Sequence, residues 1–153
     1  MKIKMFLPVC LLLCVACNKD KFKTEPQVEV KSISPGTVSS GNVITIEGKY
    51  TDDEGDVDSM LIVYKWYNGN TVVKPNIGDT FRFAFSRLNL PPATRQADIR
   101  LDYEYNTFNF PDIVKLPGIP GNDTSATFGL ILIDKAGNRS NYSESAKIRL
   151  KRP

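Results

Sequence analysis

Apolar and polar residues alternate along most of the chain from Val28 onward, and this period of two is typical of strands that bury one face. Glycine, proline, asparagine and aspartate interrupt the alternation at short intervals, as turns between strands require. The alternation is most regular over residues 96–105, where apolar side chains alternate with aspartate, arginine and glutamate. The pattern predicts seven or eight strands, at residues 28–34, 42–50, 61–67, 72–73, 80–88, 96–105, 127–133 and 146–150.

Short strands without a long amphipathic helical pattern favour an all-β protein, and specifically an antiparallel β-sandwich. Residues 127–133 are apolar on both faces, so we expect them in the centre of a sheet. Trp66 lies in the third predicted strand, which is where an immunoglobulin-like (Ig-like) domain places its core tryptophan. Residues 28–151 therefore resemble a single Ig-like or fibronectin-like domain, although they lack the cysteine pair of antibody domains.

Residues 1–16 have the features of an export signal. Two of the first four residues are lysines, residues 6–13 are apolar, and Ala16 precedes Cys17. The apolar run is too short to span a bilayer, and a small residue marks a cleavage site. The segment resembles the lipobox of a bacterial lipoprotein, with Cys14 where leucine is usual. The resemblance implies cleavage after residue 16, acylation of Cys17 and an outer-membrane lipoprotein. The alternatives are an ordinary secretory signal and an uncleaved anchor.

Residues 17–27 are predicted to be the lipidated cysteine and a flexible tether, because they are rich in charge and show no apolar period. Ten extended residues reach about 33–36 Å, so the domain would stay close to the membrane. Lys19 and Asp20 resemble part of the export signal of surface lipoproteins in the Bacteroidota, whereas Lys21 departs from it. Both the cell surface and the periplasmic face are compatible with this tether.

The composition of the chain excludes several classes of function. It has no histidine, which removes the usual general base near neutral pH and the commonest ligand of transition metals. Its formal net charge is +3, and +1 without the two leader lysines, so no strong field attracts nucleic acid. All three cysteines lie within residues 1–17, so the domain can form no internal disulfide.

Carboxylates are concentrated between the second and third predicted strands, where five acids occur in residues 52–58. Like charges at this density repel one another unless they are solvated or bridged by a cation, and calcium prefers oxygen ligands. The segment resembles the Asp-x-Asp/Glu-Gly-Asp loops of bacterial extracellular β-domains, some of which bind calcium. It is not an EF-hand, because no predicted helices flank it. The candidate ligands in this loop are Asp52, Asp53 and Asp56.

A second turn, Asp134-Lys135-Ala136-Gly137-Asn138, follows the central strand and is similar to a turn that recurs in bacterial Ig-like repeats. In an Ig topology this turn and the acidic loop emerge at the same end of the sandwich, which adds Asp134 and Asn138 to the candidate calcium ligands. The first strand begins at that end too, so the site would face the tether. The alternative is that both segments are ordinary turns, which aspartate, asparagine and glycine favour.

The connection 106–125 is long for a compact domain and carries much apolar surface. Its prolines limit the entropy lost when an exposed side chain binds a partner. Phe108 and Phe110 are therefore the candidate binding residues, for either a sugar ring or a protein. The alternative is that these side chains fold back and close the open end of the sandwich.

Paired carboxylates of the glycoside hydrolase type are a further candidate chemistry. However, Asp98, Asp102 and Glu104 alternate with apolar residues, as they would on the solvated face of a sheet. We therefore expect a lipid-anchored envelope module that recognises a glycan or protein partner and is not an enzyme. An architectural lipoprotein rigidified by calcium is the second hypothesis, and a carboxylate-based glycoside hydrolase is the third.

Overall fold

The computed structural model of this chain describes residues 25–74, 80–84, 93–117 and 121–152. The leader, Cys17 and nearly all of the tether lie outside the described residues, and so does the end of the predicted strand 80–88. Within the described ranges the backbone forms strands and turns. No helix able to span a membrane occurs in that part of the chain.

Eleven strands form in the described part of the chain. They are β1 (Gln27–Ser34), β2 (Thr37–Val38), β3 (Val43–Thr51), β4 (Val57–Asn68), β5 (Thr71–Lys74), β6 (Thr80–Ala84), β7 (Gln96–Tyr105), β8 (Val114–Leu116), β9 (Thr124–Asp134), β10 (Ser143–Glu144) and β11 (Ile148–Leu150). The bounds agree best with the sequence where the alternation is regular, and β7 coincides with the predicted strand 96–105. In β3 every second residue is buried over most of its length, which is the burial that a period of two predicts.

The strands form two sheets. One has the order β1-β3-β7-β8, and the other has the order β2-β11-β9-β4-β5, with β6 also paired to β4 and β10 to β9. The chain passes from the first sheet to the second between Ser34 and Thr37. Buried apolar side chains from both sheets belong to one core. The protein is therefore all-β, and its architecture fits a β-sandwich.

Strand orientation and strand number differ from the sequence prediction. The sheets are mixed rather than purely antiparallel, because β2 runs parallel to β11 and β8 runs parallel to β7. The strands also exceed the seven or eight expected, since the pattern does not predict β2, β8 and β10. These three strands contain only two or three residues each, which is too few to display a period of two.

The two ends of the sandwich carry different groups. We call proximal the end at which β1 begins, where Gln27 pairs with Thr51. β7 also begins there and runs to the distal end, where Glu104 lies opposite Val43. The acidic loop between β3 and β4 is therefore proximal, as predicted, and the connection that follows β7 is distal.

Candidate functional site

The acidic loop at the proximal end is folded around a buried carboxylate. Asp52 follows β3 directly and is only 3% exposed. Its backbone N–H donates to the Arg95 carbonyl at 2.7 Å, and its Oδ2 accepts a hydrogen bond from the Asp56 N–H, also at 2.7 Å. Gly55 has a φ of +68°, and a Cβ there would lie 2.6 Å from the carbonyl carbon of Ala93. Only glycine therefore fits this bend without distortion.

The Asp134 turn is closed by its own side chains. Asp134 ends β9 and is 2% exposed. Its two carboxylate oxygens accept hydrogen bonds from the backbone N–H and the side-chain Nδ2 of Asn138, each at 2.7 Å. Its carbonyl accepts a third from the Gly137 N–H at 3.1 Å. These are the contacts that the interpretation as an ordinary turn requires.

The structure brings three of the five candidate calcium ligands, all aspartates, into one cluster, and it bonds a fourth, Asn138, to Asp134 of that cluster. The Lys135 N–H donates to the Asp56 carbonyl at 3.2 Å and so joins the two loops. Burial raises the pKa of the Asp56 carboxyl above its usual value, and the negative charges of Asp134 and Asp52 raise it further. Asp53 is exposed to solvent. We refer to Asp52, Asp56 and Asp134 as the proximal cluster.

Phe108 and Phe110 are exposed at the distal end rather than folded into it. Phe108 is 78% exposed and Phe110 is 45% exposed, while Val114 at the start of β8 is 51% exposed. Leu116 and Tyr105 are buried there and belong to the core. The alternative in which the two phenylalanines close the open end of the sandwich is therefore wrong.

A buried glutamate holds the residues 106–113, which we call the Phe108 loop. Glu104 is fully buried, and its Oε1 accepts hydrogen bonds from the Thr107 hydroxyl and, at 2.8 Å, from the Asn109 N–H. Its Oε2 accepts another from the Phe110 N–H at 3.0 Å. One carboxylate thus binds a side-chain hydroxyl just before the exposed phenylalanine and two backbone N–H groups just after it.

The prediction that Glu104 lies on the solvated face of β7 is wrong. The Phe108 loop turns back over the end of the strand, so its donors replace water around the carboxylate. Burial alone raises the pKa of Glu104, but the hydrogen bonds of the loop and the charge of Lys115 outweigh burial and hold the pKa below its usual value. The Lys115 Nζ also lies 3.9 Å from the centre of the Phe108 ring.

Glu104 and Lys115 are parts of the distal site that the period-two pattern does not reveal. The available signal is Thr107, three residues after the glutamate. A short hydroxyl side chain just after a strand commonly hydrogen-bonds back to nearby groups. That signal indicates a turn over the end of the strand, although it does not identify the acceptor.

The other acidic residues of β7 lie on its outer face. Asp98 is exposed. Asp102 accepts a hydrogen bond from the Thr45 hydroxyl at 2.6 Å and one from the Arg100 Nε at 3.1 Å, and these two contacts, Thr45 foremost, lower its pKa. Because donors of the Phe108 loop bind the Glu104 carboxylate, Glu104 is not available as one member of a hydrolytic carboxyl pair.

Comparisons with known proteins show no family for this chain. No family model matches the sequence, and no curated protein matches it. Among solved structures it is similar to the alkylpurine DNA glycosylase AlkC of Pseudomonas fluorescens, with 14% identity and a TM-score of 0.46 over 84% of this chain and 31% of that one. It is also similar to the sporulation control protein Spo0M of Bacillus subtilis, with 7% identity and a TM-score of 0.44 over 84% and 50% of the two chains. A Niemann-Pick type C2 protein of the Japanese carpenter ant has 11% identity and a TM-score of 0.40 over 83% and 89%. This chain thus spans less than two thirds of the first two proteins, and likenesses this distant carry no argument about function.

Proposed function

We propose that this chain is a lipid-anchored module of the bacterial outer membrane whose single domain binds a protein partner through the Phe108 loop and catalyses no reaction. The main support is that Phe108 is largely exposed on a loop that a buried glutamate holds in one shape. A loop that is fixed before binding loses less entropy when a partner docks on it. A large apolar side chain presented in this way is typical of an interface anchor.

An Ig-like domain is the architecture that agrees best with the strand order. The strands of such a domain are lettered A to G in chain order. Strands A, B and E belong to one sheet and strands C, F and G to the other, and an additional strand C′ can lie beside C. In this proposal β1, β3 and β7 correspond to A, B and E, and β4, β9 and β11 correspond to C, F and G, with β5 beside β4 as C′. The strand next to β7 is β8, which follows β7 in the chain and runs parallel to it, so it departs from strand D. The buried Trp66 lies in β4, which is the position of the core tryptophan in strand C.

The surroundings of Phe108 favour a protein over a glycan. Phe110 and Val114 add exposed aromatic and aliphatic surface close by in the chain, and Lys115 adds a charge. A sugar ring also needs polar groups for its hydroxyls, whereas the polar side chains on either side of Phe108 bond to each other, since the Asn109 Nδ2 donates to the Thr107 hydroxyl at 3.2 Å. Exposed aromatic anchors are typical of protein–protein interfaces.

In this proposal the anchor and the binding loop lie at opposite ends of the domain. The first strand begins at the proximal end with Gln27, and the Phe108 loop occupies the distal end. Acylation of Cys17 by more than one chain would anchor the protein stably, because each buried methylene contributes about 0.8 kcal/mol. The short tether would then keep the proximal end near the membrane and direct the loop away from it.

Replacing Cys17 with serine is expected to release the protein from the membrane, because serine offers no thiol for acylation. The measurement is fractionation of cells that express the full chain, followed by mass spectrometry of the mature N-terminus. Cys10→Ser, in the same leader, is the matched control and should leave the protein in the membrane fraction. An intact, unacylated wild-type chain in the cytosol would contradict the proposed anchoring.

A photo-cross-linking phenylalanine analogue at position 108 is expected to trap the protein partner in cells, because this side chain would lie inside the interface. The analogue at Val73, which is 46% exposed outside the loop, is the matched control and should not trap that partner. The cross-linked protein is identified by mass spectrometry, purified and titrated against the full chain. Phe108→Ala should weaken its binding by about 30-fold, the effect of a typical hot-spot truncation.

Val73→Ala should leave the affinity for the same protein unchanged. Equal affinities of wild type and Phe108→Ala would contradict a role of the loop in protein binding. A different outcome is that no protein is cross-linked and that the chain binds arrayed glycans, with the binding abolished by Phe108→Ala. That outcome would mean that the partner of the loop is a glycan and not a protein.

A further inference from the structure

We propose that the proximal cluster binds one calcium ion, which Asp52 and Asp56 coordinate directly while Asp134 contributes negative charge without coordinating it. This site lies at the opposite end of the domain from the Phe108 loop. It is therefore independent of the function proposed for that loop.

Two buried carboxylate oxygens of the cluster have no hydrogen-bond partner. The Oδ2 of Asp52 accepts from the Asp56 N–H, and this bond directs the carboxylate toward Asp56, but the Oδ1 of the same group is unpartnered. The Oδ1 of Asp56 is likewise shielded from solvent and unpartnered. An ionised oxygen in this situation has lost water without gaining a donor, which is strongly unfavourable. In this proposal a cation bound by both side chains supplies the missing partner of each oxygen.

Asp134 differs from the other two carboxylates, because Asn138 donates to both of its oxygens. Both of its oxygens are therefore already engaged, unlike the Oδ1 atoms of Asp52 and Asp56, and its charge acts on Asp56. The ion pairs in the described part of the chain involve other acids, and none involves Asp52, Asp56 or Asp134. The ammonium of Lys135 acts on Asp56, but one lysine beside three carboxylates leaves negative charge for a bound cation to neutralise.

The donor atoms favour calcium among the common metal ions. The chain has no histidine, and its cysteines lie at residues 10, 14 and 17, so the domain lacks the imidazole and thiolate ligands that zinc prefers. Calcium takes about six to eight oxygen ligands in a flexible geometry that includes backbone carbonyls and water. Magnesium demands near-ideal octahedral geometry and dehydrates reluctantly.

Part of the coordination shell must come from groups other than acidic side chains. The described residues contain no group of three or more acidic side chains already arranged as metal ligands. Backbone carbonyls of the loop and water therefore complete the shell around the two carboxylates. Because only two ligands are charged, we expect a dissociation constant of about 10⁻⁴–10⁻³ M, the range of extracellular calcium modules.

The test is thermal unfolding of the purified full chain in detergent, in EDTA, in about 10 mM calcium and in the same concentration of magnesium. Calcium is expected to raise the melting temperature by about 3–8 °C, because it binds only the folded state. Magnesium should raise it less. Isothermal titration calorimetry with calcium chloride should show a single site per chain.

Asp52→Asn and Asp56→Asn each remove a charged ligand, and both should abolish the rise in melting temperature with calcium. Asp53→Asn changes an exposed carboxylate of the same loop and is the matched control, so it should keep the full rise. If Asp52→Asn does not fold, Asp56→Asn decides the question alone.

Three results would overturn the calcium site. The first is a wild-type melting temperature that calcium does not change, and the second is an equal rise in Asp56→Asn and Asp53→Asn. The third is a magnesium effect as large as that of calcium, which would remove the selectivity that the flexible shell implies.

Discussion

Replacing Phe128 with alanine is expected to lower the free energy of unfolding by about 3–5 kcal/mol, the usual cost of truncating a buried phenylalanine. Phe128 is fully buried in β9. Its ring stacks on Tyr64 of the same sheet with 5.0 Å between ring centres, and on Tyr103 of the opposite sheet with 5.6 Å. The ring therefore packs between the two sheets, and its removal leaves a cavity that hydrogen-bonded strands cannot readily fill.

The measurement is urea unfolding of the full chain, followed by the fluorescence of Trp66, the single tryptophan. Phe108→Ala removes the same atoms from an exposed side chain and is the matched control, with an expected change below about 0.5 kcal/mol. Since domains are stable by only about 5–15 kcal/mol, the core variant would lose a large part of its stability. A loss below about 1 kcal/mol for Phe128→Ala would contradict its role in joining the sheets.

The strands with a regular alternation were predictable because the burial of one face is a local property of the sequence. Ile99 and Tyr103 are buried on one side of β7, whereas Asp98 and Arg100 are exposed on the other. The two-residue strands β2 and β10 were not predictable in this way. They exist because a longer neighbour, β11 or β9, supplies the hydrogen-bonding edge beside them.

The proximal loops show how far topology alone can predict a site. An Ig-like strand order predicts that the acidic loop and the Asp134 turn meet, and the hydrogen bond between Lys135 and Asp56 shows that they do. The order does not predict which oxygens are already used. That depends on the closure of each turn, which engages Asp134 with Asn138 and leaves one oxygen each of Asp52 and Asp56 unpartnered.

The distal site was predictable only in part, for a related reason. The length and apolar content of residues 106–125 identify Phe108 as a candidate, because such segments are uncommon in a compact domain. The period of two predicts that Glu104 is exposed to solvent. The pattern describes the two faces of a strand and contains no information about a loop that folds back over the strand. The burial of such a carboxylate is recognised only from a three-dimensional structure, which shows where its hydrogen-bond donors lie.

Replacing Glu104 with glutamine is expected to loosen the Phe108 loop while leaving the sandwich folded. Glutamine has nearly the same shape, but its side-chain NH₂ is a donor and would face the backbone N–H of either Asn109 or Phe110. Amide hydrogen exchange at these two positions should accelerate at least about tenfold, because a hydrogen bond to a charged acceptor is lost. Asp98→Asn, an exposed change on the same strand, is the matched control and should alter neither amide.

The same carboxylate should make the order of the loop depend on pH. Because the pKa of Glu104 in the folded protein lies below the usual 4.5, its contribution is fully present above that value and is lost as the pH falls through the lower, folded-state pKa. Protection factors at Asn109 and Phe110 should therefore be constant from neutral pH down to about 4.5 and fall below it. In Glu104→Gln they should be low throughout and show no such fall. Protection that falls equally in both proteins would mean that some other group holds the loop in place.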